Sequence, residues 1–285
     1  MPDESSAVRR IERLISEQQA RALERQGVRP IGPDERLRGF AVQDIVDRLS
    51  RVTERPYLPY RASLLHDDNP NAVALADGRI YVTTGMINRL AEQRQAADKL
   101  AAVLAHELAH TAAQHLVKRI QRLQQQQALM ALAATAAAVA TRNAAPHTQQ
   151  AGRLALDVAS LLNDVAVSGF SQEQELEADQ LGVRYMLRAG FNPQAAVGLL
   201  EEFARLEHPW PFLRTHPYAA IRREYLRRYL EELGPSAPAT PTALTTQQER
   251  ELDARKRHLR EVQSLYPPGS LSWQNLKRQL EALEQ

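Results

Sequence analysis

One stretch constrains this chain more than any other: Leu100-Ala-Ala-Val-Leu-Ala-His-Glu-Leu-Ala-His110. Alanine and leucine surround it, and no glycine or proline falls between Leu90 and Pro146. Such a run folds as a helix. Residues i and i+4 share one face of a helix, so His106 and His110 point the same way and can hold one metal ion. Glu107, one position along, stands near enough to hold the attacking water. Two imidazoles and a carboxylate base are what a catalytic zinc requires of a single helix. The pattern has two free positions, so the competing reading is a chance match on an alanine-rich helix that happens to carry histidines.

A tetrahedral catalytic zinc takes a third protein ligand and keeps its fourth position open. The segment Ser171-Gln-Glu-Gln-Glu-Leu-Glu-Ala-Asp179 offers one. Glu175 and Asp179 are again i and i+4. One can bind the metal, and the other can accept a hydrogen bond from the free N–H of a ligand histidine and so fix its tautomer. A solvated acidic helix face is the ordinary meaning of this spacing. Against it, the other side of the turn is apolar (Leu176, Ala178, Leu181, Val183). Glu173, Glu175, Glu177 and Asp179 also crowd one another, which is costly unless a cation is near.

These two segments, followed by Thr215-His216-Pro217 and Arg222, resemble the gluzincin peptidase family that contains HtpX, BepA and the CaaX prenyl protease. Order and gaps correspond from about Asn71 to Arg228. The resemblance implies that Glu175 is the third zinc ligand, that Asp179 supports the site, and that one Zn²⁺ binds per chain. It also implies that Asn71-Ala-Val-Ala-Leu-Ala-Asp-Gly-Arg-Ile-Tyr-Val-Thr-Thr-Gly85 is an edge strand and hairpin ahead of the metal helix. The family usually has Pro-Gly or Gly-Gly at that turn. Here it is Asp77-Gly78, itself a good hairpin turn.

The chain has 285 residues, 44% apolar and 25% charged, which suits a globular protein with one sizeable core and room for an appendage. A net charge of +2 is too balanced to point to nucleic acid. Without cysteine there is neither disulfide nor thiolate chemistry. The first residues, MPDESSAVRRIERL, lack an apolar leader core. A periplasmic or membrane-associated location is therefore expected only if a signal has been removed, and a cytoplasmic one otherwise. No stretch reaches the roughly 18–20 apolar residues of a membrane span, so the resemblance is to the soluble, BepA-like branch.

The expected fold is α+β and mostly helical. N-terminal helices occupy 1–55, with an amphipathic helix over 3–27 (Val8, Ile11, Leu14 and Ile15 on one side) and another from Pro33 to about Arg55. The metalloprotease domain occupies 56–233. Short strands are expected at 61–66, 72–76 and 79–83, then a long helical run after Gly85. In that run His115 lies about 140° around from His110, which makes it a structural or supporting histidine rather than a ligand. The alanine-rich segment 121–142 reads as a buried helix, with a mobile lid or a membrane- or partner-facing surface as alternatives. A further apolar helix is expected at 153–167. Trp210 reads as core. A linker at 234–245 and a helical hairpin at 246–285 complete the chain.

The function these features imply is a zinc endopeptidase acting on extended or misfolded protein substrates, in bacterial envelope quality control. His106, His110 and Glu175 hold the metal, and Glu107 moves the proton. Residues Ala72, Val73, Ala74, Leu75 and Ala76 align the peptide by adding a strand. His216 or Arg222 supplies an oxyanion donor. In BepA-like relatives such a histidine can instead plug the open metal position and keep the enzyme latent. The alternative class is a non-catalytic, zinc-stapled scaffold or chaperone-like module. Glu107 argues against it, because a structural site has no use for that base.

Overall fold

In a computed structural model the residues that can be described are 5–25, 27–123, 125, 169–205 and 210–234, with isolated positions at 260, 277 and 280. Residues 1–237 form one compact unit and 238–285 another. The elements described here all belong to the first. They are α1 (Ser6–Glu24), β1 (Val28–Pro30), α2 (Val42–Ser50), β2 (Arg61–Leu65), β3 (Ala72–Ala74), β4 (Arg79–Thr83), α3 (Thr84–Ala91), α4 (Ala96–Ala112), α5 (Gln172–Arg188), α6 (Gln194–Ala204), α7 (Pro211–Thr215) and α8 (Ala219–Leu233). Residues 115–123 are also helical. The class is α+β with helix dominant, as expected.

The central element is α4. It is apolar all round, and every residue from Lys99 to Ala112 is buried, the pattern of a helix enclosed by others. It touches α2, α3, α5, α6 and the edge strand β3. Leu100, Leu104 and Leu108 are fully buried, each worth about 1.5–3 kcal/mol of apolar transfer. Its closest neighbour is α5, and small side chains make that contact possible. Gly182 of α5 faces Ala105 and His106, and a Cβ there would lie 3.3 Å from the His106 nitrogen; Ala178, one turn earlier, is fully buried. Two backbones this close bring side chains of both helices to a common point.

The sheet has the order β1-β2-β4-β3, with β2 and β4 parallel and the outer pairs antiparallel. As the resemblance implied, β3 is an edge strand. The Asp77-Gly78 turn joins β3 to β4, with Gly78 at φ 96°. The amides that bond to β4 are those of alternate residues, so Ala72 and Ala74 present their N–H groups outwards. Asn71 Oδ1 accepts from the first, at 2.9 Å.

Several expectations shift. Helix α1 matches its expected span, but Leu14 is 48% exposed. Glu12 and Ser16 are buried in its place, and Glu12 forms a two-pronged ion pair with the fully buried Arg55 at 2.8 and 2.9 Å. The helix expected from Pro33 begins only at Val42, because Arg38 and Gly39 both adopt left-handed backbone (φ 53° and 92°) and close a turn on Phe40. Strand β1 was not expected. Among the described residues the long helical run after Gly85 is broken twice, at Gln95 and Gln114, each left-handed at φ 57°. Helix α5 starts with a capping box between Ser171 and Gln174. It ends in paired bonds from Gly190 to Leu187 and from Phe191 to Met186, a Schellman motif. Trp210 packs edge-on to Phe203, as a core residue. Segments 126–168 and 235–259 and nearly all of 261–285 lie outside the described residues, and with them the alanine-rich segment, the helix expected at 153–167, the linker and the hairpin. Among the described residues no helix is long and apolar enough to cross a membrane.

Candidate metal centre

His106 and His110 project from one face of α4, as their spacing requires, and Glu175 meets them from α5. His216, which the resemblance left as either an oxyanion donor or a plug of the open metal position, joins them. All four are buried, and one ligand atom from each lies within 4.8 Å of the others. His106 Nε2 is 3.0 Å from His110 Nε2 and 3.1 Å from His216 Nδ1. Glu175 Oε1 is 3.1 Å from His216 Nδ1 and 3.5 Å from His110 Nε2, and its Oε2 is 3.4 Å from His106 Nε2.

These separations test whether a zinc ion fits. Four ligand atoms about 2.0–2.1 Å from a tetrahedral centre stand about 3.3–3.4 Å apart, and the observed values scatter around that. The chemistry agrees. Asp179 Oδ1 lies 2.9 Å from His106 Nδ1 and accepts its proton, which leaves Nε2 facing two more imidazole nitrogens in a buried space. Burial and the neighbouring Arg222 oppose a charge on His106, yet its hydrogen bonds to Asp179 and Glu175 raise it to about 9. That proton stands where a divalent cation would replace it, and ligand sites release protons on metal binding. Burial would raise the Glu175 carboxyl, but the charges of His216 and Arg222 hold it well below its ordinary value. Burial likewise keeps His110 neutral, far below its usual range. The donor set suits zinc.

The surroundings fix each ligand. Arg222, itself 2% exposed, forms a two-pronged pair with Asp179 at 2.7 Å and reaches Glu175 Oε2 at 2.6 Å. The crowded carboxylates of α5 therefore divide. Glu175 and Asp179 turn inwards, where a guanidinium answers part of their charge, while Glu173 and Glu177 stay outside. Arg222 thus forms a buried salt bridge. His216 is the C-cap of the short α7, and α8 begins only at Ala219. Pro211 opens α7, and Phe212 stacks on the His216 ring at 4.5 Å. Phe170 stacks on His110 at 4.0 Å, and its N–H bonds to Thr215 O. No signal in the sequence marked either phenylalanine.

Glu107 is 2% exposed. Its Oε2 accepts from Ala74 N–H at 2.9 Å, and its Oε1 faces His216 Nε2 at 3.2 Å without a hydrogen bond. Beside it runs a cleft lined by Ala72, Val73, Ala74, Ala76, Leu116, Val117 and Phe170, with His110 and His216 at its floor. Of the expected substrate strand, residues 72–74 form the edge and Ala76 lines the cleft. Leu75 does neither: its side chain is fully buried against Ala20 of α1 and Tyr81, and its carbonyl accepts from Thr111 Oγ1.

The profile of peptidase family M48 matches residues 37–230, most of the chain. This protein belongs to that family. Among its relatives, the mitochondrial metalloendopeptidase OMA1 of Schizosaccharomyces pombe is 29% identical over 195 residues, 67% of this chain and 52% of that protein. The beta-barrel assembly-enhancing protease of Escherichia coli is 29% identical over 181 residues, 62% of this chain and 36% of that protein. The metalloprotease LoiP of the same organism is 29% identical over 164 residues, 55% and 57% of the two chains. The chain thus spans about a third to somewhat over half of the length of these relatives. Its membership confirms the resemblance read from the motifs.

Proposed function

We propose that this protein is a zinc endopeptidase held latent by His216. One observation carries the reading: the buried ligand atoms of His106, His110, Glu175 and His216 converge within 4.8 Å of one another, beside a carboxylate that faces an edge strand. The metal, when bound, supplies Lewis acidity to water and to the scissile carbonyl. Glu107 takes the proton from the attacking water and delivers it to the leaving amine. The outward-facing carbonyls of β3 align an extended peptide through backbone hydrogen bonds, which tolerate many sequences, while its outward amides already bond Asn71 and Glu107. The apolar cleft walls keep bulk water from the reacting groups. Asp179 and Arg222 hold His106 and Glu175 in place.

His216 has the position of a fourth ligand, and its other nitrogen faces Glu107. In this arrangement it closes the site twice, at the metal and at the base. Peptide or protein substrates would have to displace it. For the finer role we propose quality control of extended or misfolded proteins in a bacterial envelope, periplasmic or membrane-associated. The likeness to the beta-barrel assembly-enhancing protease supports it.

The test is casein cleavage by zinc-loaded protein. The parent enzyme should be slow, His216→Ala faster, and Glu107→Gln inactive with its zinc retained. A chelator should abolish cleavage and zinc should restore it. Fully loaded parent and His216→Ala proteins that both leave casein intact would sink the enzyme reading. A His216→Ala variant slower than the parent would replace the plug by an oxyanion role.

A further inference from the structure

The two histidines of α4 need the same thing from their surroundings. Each must carry its proton on Nδ1, so that Nε2 offers a lone pair to the centre. For His106 the acceptor is Asp179. For His110 no carboxylate among the described residues meets Nδ1. Its Nδ1 lies 2.8 Å from Nδ1 of His115, and His115 Nε2 lies 3.1 Å from Glu177 Oε2. His115 is 1% exposed, while the Glu177 side chain is 53% exposed.

A carboxylate can only accept, and each neutral imidazole donates from one nitrogen and accepts at the other. The direction of the whole row is therefore set from its outer end. Glu177 accepts from His115 Nε2–H, His115 Nδ1 is left as an acceptor, and His110 donates its Nδ1–H to it. His110 Nε2 is then bare and faces the other ligands. Regular helix would carry His115 about 140° away from this place. The left-handed residue Gln114 brings it back, at a cost of about 1–3 kcal/mol. Gln114 is tied down by a bond to Glu12 Oε1 at 3.0 Å, and Gln174 holds the His115 carbonyl at 3.1 Å.

We infer that His115 and Glu177 are positioning residues that fix the tautomer and orientation of His110 for the metal, through a relay where its neighbour His106 uses a direct carboxylate. The inference rests on the zinc reading given above. It is tested by the zinc dissociation constant, from chelator competition, in purified full-length protein. Leucine and asparagine match in size, but only asparagine places an acceptor oxygen where His115 has Nδ1. His115→Leu should weaken zinc by about 10–100-fold, as loss of a partner behind a metal ligand does. His115→Asn should stay within a few-fold of the parent. Glu177→Ala, at a half-exposed position that threatens folding least, should fall between them. The visible spectrum of the cobalt-substituted protein should change in His115→Leu and be restored in His115→Asn. Equal losses in Leu and Asn would make His115 a space-filling residue and overturn the inference. So would parental affinity in both His115→Leu and Glu177→Ala. A parent that binds no zinc would instead refute the metal centre itself.

Discussion

His106 and His110 sit one turn apart on the same helix, yet the two flanks of the centre are built from different physics. Behind His106 lies a buried ion network in which Asp179, Glu175 and Arg222 face one another at 2.6–2.7 Å. Behind His110 lie a stacked phenylalanine and a row of neutral imidazole ending at a half-exposed carboxylate. Charges taken out of water are costly to leave unpaired, whereas a neutral row loses little when its outer end is cut. The His106 flank should therefore govern whether the unit folds, and the His110 flank how well it holds metal.

The sharpest way to break this contrast is Arg222→Met. It leaves two buried carboxylates without their cation, and denaturant unfolding of metal-free protein should show a loss of about 3–5 kcal/mol. A loss below 1 kcal/mol would erase the distinction between the flanks. Next comes Gly182→Ala. The new Cβ must push α5 from the His106 backbone, where 3.3 Å is available, and overpacking of this kind costs about 1–3 kcal/mol. The same measurement reads it, and zinc affinity should fall with it.

On the other flank, Glu177→Ala should change metal-free stability by less than about 1 kcal/mol, since the pair is half in solvent. A larger effect would mean that both flanks are structural. The smallest effect is expected far from both, at the surface pair Arg29–Glu35. Hydrogen bonds from Arg29 and Gly32 lower the Glu35 carboxyl from 4.5 to about 2. A depressed carboxyl contributes above its unfolded value and loses that contribution as pH falls through its folded one. The melting-temperature difference between parent and Glu35→Gln, measured with chelator, should therefore be small at pH 6 and vanish towards pH 2. A difference that grows on acidification would contradict the pairing.

The sequence displayed one flank better than the other. His106 and His110, and Glu175 and Asp179, follow helix grammar: i, i+4 spacing puts each pair on a shared face, with Glu107 one position along, and the structure brings them together. The strand at 72–76 and its Asp77-Gly78 turn were legible for the same local reason, while its place at the edge came from the resemblance. What escaped depends on contacts between segments far apart. Phe170 reaches His110 only because its backbone pairs with Thr215, and Arg222 finds Asp179 across two helices. Leu75 alternates correctly for an edge position, but the chain has already turned there. The break at Gln114 was hidden for a different reason. No glycine or proline marks it, and a buried bond to Glu12 from a remote helix stabilises the left-handed residue.

That break also ties two dimensions of the site together. Residues 115, 116 and 117 follow it directly. The first stands behind His110, the proposed metal ligand, and the next two, Leu116 and Val117, form a wall of the cleft. An elbow with one such arm works like a gear: any rotation that widens the groove for a bulkier peptide also swings His115 away from His110. Groove width and metal retention are then one mechanical coordinate. A lineage that enlarges its substrate range at this wall must compensate at the metal, or reshape the opposite side of the groove, β3, instead.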